Sequence, residues 1–260
     1  GFNAQLSHAD CVINIPKHRW NPENSRVQRQ DRQFGNILTT IDDFDSEFFK
    51  QLRAEAELVD PQQRLLLHRC TVPLTSVRLN DIKCGVFVAI SHIDYALKLY
   101  SLQRPPSPYM ATGSAHSVAC GRISFTFGLT GPCTSIDTAC SSALVACHFL
   151  HGCILHSECK HGIAAAVNMC LSQKIFLIFN AAGMLSKEGR CKTLDATADG
   201  YVRTESCCVL ALINRTECKN KIPFKLAFCD ALFVSSSVLN QDGLSSSLTA
   251  PNGPSQQALI

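Results

Sequence analysis

Continuous apolar runs alternate with helically spaced apolar positions along the middle of the chain. The runs at residues 85 to 90 (GVFVAI), 162 to 170 (GIAAAVNMC) and 207 to 213 (CCVLALI) are short, a pattern typical of strands buried on both faces. Between residues 44 and 70 the apolar positions recur at helical spacing, and Asp60-Pro61 favours the start of the second helix of a pair. Alternating helices and buried strands predict an α/β layered fold with a parallel or mixed sheet.

One predicted strand runs into a string of very small residues, SIDTACSSALVAC, at residues 135 to 147. The small residues at positions 141 to 143 allow a sharp turn, and a helix is predicted from Cys140 to about His151. Cys140 is then expected at the N-terminus of this helix, where free N–H groups and the helix dipole favour a nucleophilic thiolate. The same N–H groups could hold the oxyanion of a tetrahedral acyl intermediate. The alternative is a buried packing thiol, since cysteine is among the most buried residue types.

The composition fits a packed globular protein and argues against several classes of partner. The chain has 260 residues, of which 46% are hydrophobic and 17% charged, and its mean hydropathy is +0.06. The net charge of +3 comes from residues scattered along the whole sequence, so no nucleic acid partner is expected. The longest apolar runs are far shorter than the ~20 residues of a membrane span, and none is expected.

The cysteines and the chain ends indicate the context of the chain. The 15 cysteines are odd in number and irregularly spaced, which favours a reducing compartment over a disulfide framework. No apolar leader is visible, so a cytoplasmic location is expected, with a plastid as the alternative. The chain opens on Gly1, and residues 254 to 260 resemble the first turn and a half of an amphipathic helix. Truncation at both ends is therefore expected.

Six segments in matching order and spacing carry a resemblance to a known family. They are DTACSSA at residues 137 to 143, DPQQRLLL at 60 to 67, GVFVAISHIDYA at 85 to 96, GRISFTFGLTGP at 121 to 132, LSKEGRCKTLDATADGYVRTE at 185 to 205 and SSSVLNQDGLSSSLTAPNGPSQQALI at 235 to 260. From about residue 10 onward, the chain resembles the β-ketoacyl synthase (ketosynthase) domain of polyketide synthases and of related fatty acid synthases.

This resemblance implies a thiolase-like αβαβα fold of two similar halves that works as a homodimer. Residues 1 to 260 are expected to form a partial ketosynthase domain, mainly the first half and the start of the second. Cys140 would be the catalytic nucleophile of a decarboxylative Claisen condensation between its bound acyl group and malonyl. Both substrates would arrive on the phosphopantetheine of an acyl carrier protein domain, and other polyketide synthase domains would be further partners. No metal and no tightly bound cofactor is implied.

The family also uses two histidines, in EAHGTGT and NIGH loops, and a GFGG loop that donates a second oxyanion N–H. None of these loops stands in this chain, and the nine histidines, at positions 8, 18, 68, 92, 116, 148, 151, 156 and 161, match neither histidine context. No histidine therefore receives a role. Loss of a general acid or base removes ~10²- to 10⁴-fold in rate. The 260-residue chain alone is expected to accept an acyl group slowly without completing condensation.

Four positions depart from the family pattern. Thr204 and Ser206 stand where glycines usually allow a tight backbone path. His68 replaces an acidic residue, which we interpret as structural variation. Pro73 interrupts a normally continuous helix at a cost of ~3 kcal/mol. Either this helix ends early, or the copy has drifted toward inactivity.

Three alternatives remain open. One is a catalytically incompetent ketosynthase-like segment that serves dimerisation or carrier-protein docking. Another is a thiolase or chalcone synthase type of enzyme, which the NQDG and TAPNGPSQQ segments fit poorly. The third is a metal site in CHFLHGCILHSECKH at residues 147 to 161, where His148 and His151 would share a helix face. That run lacks the paired ligands at defined spacing that zinc sites prefer.

Overall fold

The computed structural model describes residues 10–20, 33–76, 83–102, 105–214 and 233–260. The strands in these ranges are β1 (Ile13–Asn14), β2 (Phe34–Asn36), β3 (Gly85–Ala89), β4 (Cys133–Ile136), β5 (His161–Asn168), β6 (Arg203–Thr204) and β7 (Ser206–Ile213). The α-helices are α1 (Arg53–Ala56), α2 (Pro61–Ser76), α3 (Asp94–Ser101), α4 (Pro108–Gly113), α5 (His116–Phe127), α6 (Ser142–Leu155), α7 (Gln173–Ala181) and α8 (Gly253–Leu259). No α-helix of the described ranges is long and apolar enough to cross a membrane.

Within the described residues, the main sheet has four strands in the order β4-β3-β5-β7. Strand β3 pairs in parallel with both β4 and β5, so Val86 lies beside Cys133 on one side and Ile163 on the other. Strand β7 closes the sheet in the antiparallel sense, with Ile163 opposite Ala211. The predicted α/β fold with a mixed sheet is therefore confirmed.

Alternating side chains of the central strands fill two separate layers of core. Val86 and Val88 point to the layer that contains Leu66 of α2 and Ile123 of α5. The intervening residues of the same strand point to the opposite layer, beneath α6. All five residues of β3 are buried, and burial of each large apolar side chain stabilises the fold by roughly 1.5–3 kcal/mol. The prediction of strands covered on both faces is correct for β3 and β5.

The same prediction is wrong for β7. Cys207 and Val209 pack against the core, but Leu210 on the intervening positions is 51% exposed. Strand β7 lies at the edge of the sheet, next to β5 alone among the described strands. One face of its apolar run is therefore packed on the core, and the other face is covered only in part, at Leu212.

Helix α2 continues through its internal proline. Pro61 occupies its first turn as predicted, and the helix extends past Pro73 to Ser76. Of the two alternatives for Pro73, an early end of the helix is therefore wrong, and drift toward inactivity stays untested. Thr71 donates its hydroxyl hydrogen to Leu67 O at 2.9 Å, and Thr75 donates to Thr71 O at 2.8 Å, so side-chain hydroxyls add hydrogen bonds around the proline. The first helix of the predicted pair is only the single turn of α1.

A second, three-stranded sheet, in the order β1-β2-β6, is tied to the rest of the fold by a buried ion pair. Glu205, whose side chain is fully buried, accepts from Arg19 Nη2 at 2.9 Å. It also accepts from the backbone N–H groups of Leu38 at 2.8 Å and Cys170 at 3.0 Å. Burial raises the pKa of Glu205 although these donors oppose the shift. This network of hydrogen bonds to Glu205 fixes the position of β6, which ends at the preceding residue.

Candidate active site

Cys140 lies in a tight turn between β4 and α6. The turn is a single 3₁₀ element, Ala139–Ser141, and helix α6 begins only at Ser142. The predicted helix start at Cys140 is therefore two residues early. Ala139 has φ of +54°, the left-handed region that costs a non-glycine residue on the order of 1–3 kcal/mol. This strained residue turns the chain so that the next side chain, that of Cys140, is exposed.

A set of short hydrogen bonds holds this turn, which we call the elbow (residues 137 to 142). Asp137 Oδ1 accepts from the N–H of Ala139 at 3.0 Å. The buried hydroxyl of Ser142 accepts from the N–H of Thr138 at 2.7 Å and donates to Ala139 O at 2.7 Å. Both peptide groups around the strained residue thus have partners, because two polar side chains stand at the right spacing.

Cys140 is exposed, whereas several other cysteines lie in the protein interior. Cys70, Cys84 and Cys159 are buried, and burial raises the pKa of Cys207 to about 12. Such thiols remain protonated at neutral pH and are poor nucleophiles. The alternative interpretation of Cys140 as a buried packing thiol does not agree with the structure.

The elbow opens into a cleft at the carboxyl ends of β3, β4 and β5. The cavity volume is about 730 Å³. Its lining residues are Ala89, Ser91, His92, Asp137, Ala139, Cys140, Ser142, Ala143, Ala166, Val167, Asn168, Phe179, Met184, Tyr201, Val202, Arg203, Thr204, Ser206 and Cys208. Ligands of α/β proteins commonly bind at this edge of the parallel strands. The cleft is the surface on which a substrate could reach the Cys140 thiol.

An aromatic ring, a histidine and an arginine form one wall of this cleft. The ring of His92 meets Phe179 edge-on, with centroids 5.9 Å apart, and the guanidinium carbon of Arg203 lies 4.7 Å from the Phe179 centroid. Burial, and then the charge of Arg203, lower the pKa of His92. Sequence reasoning gave none of these three side chains a role. Their positions in the chain, 92, 179 and 203, carry no local motif that links them.

The histidines considered in the sequence analysis, His68, His148 and His151, lie outside the Cys140 cleft. His68 is exposed on α2, and its ring contacts Phe44 and Phe49 outside the Cys140 cleft. His148 and His151 do share one face of α6, where the Nδ1 atoms of both lie 3.0 Å from Ser237 Oγ. Over the described ranges, no group of three or more His, Cys, Asp or Glu side chains is placed to hold a metal ion.

The two glycine replacements fit their positions without strain. Thr204 belongs to β6 and Ser206 begins β7, and neither has a positive φ. Extended backbone accepts any side chain. These departures therefore do not disturb the backbone beside the cleft.

A cysteine presented by a strained elbow at the carboxyl edge of a sheet layered between helices defines the thiolase-like class of condensing enzymes. The model of the β-ketoacyl synthase N-terminal domain matches residues 3–217. The chain belongs to the β-ketoacyl synthase family, in the form found as ketosynthase domains of polyketide synthases.

The chain spans only a small part of the length of its polyketide synthase relatives. The chain is 37% identical to a phenolphthiocerol/phthiocerol polyketide synthase of Mycobacterium tuberculosis, where the match covers 96% of this chain and 12% of the relative. It is 35% identical to polyketide synthase GfsE of Streptomyces halstedii, over 97% of this chain and 7% of the relative. The ketosynthase from module 6 of the bacillaene synthase of Bacillus subtilis 168 superposes with a TM-score of 0.83 at 29% identity, covering 99% of this chain and 43% of that structure.

Proposed function

We propose that Cys140 is the acyl-accepting nucleophile of a β-ketoacyl synthase. The observation that carries this proposal is the exposure of Cys140 at a strained elbow that opens into the cleft of about 730 Å³. The thiolate attacks the carbonyl carbon of an acyl thioester on a carrier phosphopantetheine. The carbon–sulfur bond to the carrier breaks, the carrier sulfur leaves and takes up the proton that the Cys140 thiol lost on ionising, and Cys140 holds the acyl group. The N–H of Cys140 itself is our candidate for stabilising the tetrahedral oxyanion.

In the complete enzyme, a second carrier delivers malonyl. Loss of carbon dioxide leaves a carbanion, which attacks the Cys140 thioester. The new carbon–carbon bond forms as the bond to the Cys140 sulfur breaks, and the Cys140 thiolate is regenerated. The proposed partners are an acyl carrier protein domain and the other domains of a polyketide synthase, and the proposed location is the cytoplasm. Bacterial polyketide synthases among the relatives support this setting and lend no support to a plastid.

The 260-residue chain should carry out only the first half of this reaction. Its sequence lacks both family histidine loops, and a general acid or base contributes ~10²- to 10⁴-fold. We therefore expect acyl-enzyme without ketoacyl product when acyl and malonyl thioesters are supplied together. Formation of ketoacyl product at an ordinary turnover rate of ~1–10³ s⁻¹ would contradict this part of the proposal.

Acyl transfer can be tested directly by mass spectrometry. The chain is incubated with butyryl-pantetheine, and the site of modification is mapped by peptide digestion. We expect one acyl group on Cys140, lost in Cys140→Ala and retained in Cys11→Ala, a change at another exposed cysteine that lies outside β4. Equal modification of several cysteines, or none at Cys140, would favour the non-catalytic alternative of a dimerisation or docking segment.

We further propose that the working form is a homodimer joined through β4. The outer edge of this strand has no strand partner in the described part of the chain, and Phe125 on the adjacent helix α5 is 89% exposed. Unpaired strand edges pair readily with a second copy. Analytical ultracentrifugation should show a dimer for the wild-type chain and a monomer for Phe125→Lys. Phe48→Lys, a change at another exposed phenylalanine, should remain a dimer. A monomer at all concentrations would overturn this arrangement.

A further inference from the structure

Two cysteines that the proposed function does not use, Cys120 and Cys133, lie close together where helix α5 packs on β4. The backbone N–H of Cys120 donates to Ser135 Oγ at 3.3 Å, so the Ser135 side chain points to α5. Side chains two residues apart in a strand point to the same face, and Ile136, of the opposite parity, lies in the core beneath α6. The Cys133 side chain is therefore directed to the helix that holds Cys120.

The two thiols influence each other across this contact. Burial raises the pKa of Cys120, and the neighbouring Cys133 thiol raises it further, although the Ser135 hydroxyl opposes the shift. A nearby charge has such an effect when it lies within roughly 4–6 Å. Both thiols are reduced in the structure. The two sulfur atoms are thus near enough to be joined by a small movement of their side chains.

The two thiols differ in their access to solvent. Cys133 is exposed, whereas Cys120 is only 4% exposed. The thiol of Cys120 donates to Ser117 O at 3.7 Å, and its raised pKa keeps it protonated at neutral pH. Cysteines that sense oxidants are solvent-accessible and often stand next to a second, resolving cysteine. Cys133 has the position of the first residue in such a pair, and Cys120 has the position of the second.

We propose that Cys120 and Cys133 are a site of reversible oxidation, where a hydroperoxide converts the two thiols into a disulfide. The Cys133 sulfur attacks one oxygen of hydrogen peroxide, the O–O bond breaks, and a sulfenic acid and one water form. The Cys120 sulfur then attacks the Cys133 sulfur, and the S–O bond breaks. The hydroxyl group leaves with the Cys120 proton as a second water. The thiols lose two electrons and two protons, and the peroxide is reduced to two waters.

The proposed site is separate from the nucleophile but linked to it through the chain. Neither Cys120 nor Cys133 lines the Cys140 cleft, so the inference goes beyond the proposed function and does not depend on it. Strand β4 ends at Ile136, directly before the elbow, so the disulfide would tie α5 to the strand that leads into the elbow. A reducing compartment agrees with this chemistry, because disulfides formed there are usually transient and redox-sensing.

Peptide mapping after peroxide treatment tests the linkage. The reduced chain is freed of reductant, treated with hydrogen peroxide, blocked with iodoacetamide and digested with chymotrypsin without reductant. We expect peptides joined through Cys120 and Cys133, and dithiothreitol should separate them. Cys133→Ser should abolish the linkage. Cys11→Ser, a change at another exposed cysteine, and Cys140→Ala should both retain it. Absence of the linked peptides from folded wild-type protein would overturn the proposal.

Dimedone, which labels sulfenic acids, tests the order of the two steps. In wild type Cys120 consumes the sulfenic acid on Cys133, so little adduct should form there. In Cys120→Ala the adduct on Cys133 should increase roughly fivefold or more, because the resolving thiol is missing. Cys70→Ala, which removes another buried thiol of the same core layer, is the matched control and should label as wild type does. Equal labelling of Cys133 with and without Cys120 would show that Cys120 has no resolving role.

A third measurement remains valid if Cys120→Ala fails to fold. A disulfide between α5 and β4 closes a loop and restricts the unfolded chain, which stabilises the folded state. The midpoint of urea unfolding should therefore be roughly 1 M higher for oxidised than for reduced wild type. Reduction should reverse the change, and Cys133→Ser treated in the same way should show no rise. An equal rise in Cys133→Ser would assign the effect to other thiols and contradict the proposal.

The mapping is repeated in Phe125→Lys, because the dimer contact proposed through β4 would partly cover Cys133. The linkage within one chain should form in both proteins, and faster in the monomeric variant. A linkage between two chains in its place, seen as a doubled mass under denaturing conditions without reductant, would overturn the assignment of Cys120 as the partner of Cys133.

Discussion

Strand β3 and the elbow both line the Cys140 cleft, but opposite physical effects shape them. Strand β3 is buried along its whole length and lies in ordinary extended backbone, so its contribution is burial of apolar surface. The elbow is mostly exposed and contains Ala139 in a left-handed conformation, so it stores strain. The comparison shows how a stable layer can hold an unfavourable turn in place, and substitutions in the two regions should separate stability from reactivity.

The largest effect on stability is expected from the core beneath α6. Leu150 is fully buried, and Leu150→Ala should lower the free energy of unfolding by about 2–5 kcal/mol. Urea titration measures this change. The control is Leu144→Ala on the same helix, where the side chain is 74% exposed and the change should be small. In molecules that remain folded, the rate of Cys140 alkylation should stay within twofold of wild type. A large drop in that rate would show that the elbow is not independent of the core.

The buried carboxyl group of Asp60 makes the stability of the fold depend on pH. Burial raises the pKa of Asp60 to about 6 from its usual value of 3.8. The folded state therefore binds a proton more tightly than the unfolded state. Stability from this group is fully present below pH 4, falls as the pH rises through about 6, and is then lost. The loss amounts to about 3 kcal/mol at neutral pH.

Asp60→Asn should remove this dependence, since an amide does not ionise. The difference in unfolding free energy between the variant and wild type should grow between pH 4 and 7 and favour the variant at pH 7. Urea titrations at several pH values test this. Asp43→Asn, at an exposed position, should show no such trend, and a difference that is constant with pH at Asp60 would contradict the assignment.

A smaller effect is expected in the elbow itself. Ser142→Ala removes one hydroxyl that both accepts from Thr138 and donates to Ala139. We expect a loss of about 1–3 kcal/mol in stability and a fall of roughly tenfold in acylation of Cys140, because the turn is no longer held. The control is Ser141→Ala, whose exposed hydroxyl only donates to Thr138. If both variants acylate equally fast, the Ser142 hydroxyl does not position the nucleophile.

The smallest expected effect is the change in stability caused by an alanine-to-glycine substitution, which should differ between the elbow and the buried strands. Ala139→Gly relieves a left-handed conformation, which offsets the added flexibility of the unfolded chain, so stability should change by less than about 1 kcal/mol. Ala164→Gly makes the same chemical change in buried β5 and should destabilise by about 1–2 kcal/mol. Thermal unfolding of the pair measures both. Equal destabilisation would mean that residue 139 carries no strain.

The fold was largely predictable because its strongest signals are local. The apolar runs of β3 and β5 and the Asp60-Pro61 helix start identified their elements from neighbouring residues alone. Helices α5 and α7 were not predicted, because HSVACGRISFTF and QKIFLIFNA are rich in β-branched and aromatic residues, which fit strands equally well. Their helical state depends on packing against the sheet.

The candidate site was only partly predictable. Cys140 was identified from DTACSSA, but the left-handed residue is an alanine, and alanine has no preference that would reveal it. The cleft wall joins His92, Phe179 and Arg203 across more than 100 residues of sequence. Such contacts arise only when the two sheets assemble, so no single stretch of sequence contains them.

The buried cysteines have a consequence for handling the protein. Cys70 and Cys84 lie in the same core layer, with Cys207 packed against it, and their thiols are shielded there from air and peroxide. Heating or urea would expose these sulfurs among the 15 of the whole chain, and mispaired disulfides would then trap the opened polypeptide. Recovery on cooling or dilution should therefore be high with a reducing agent and poor without one.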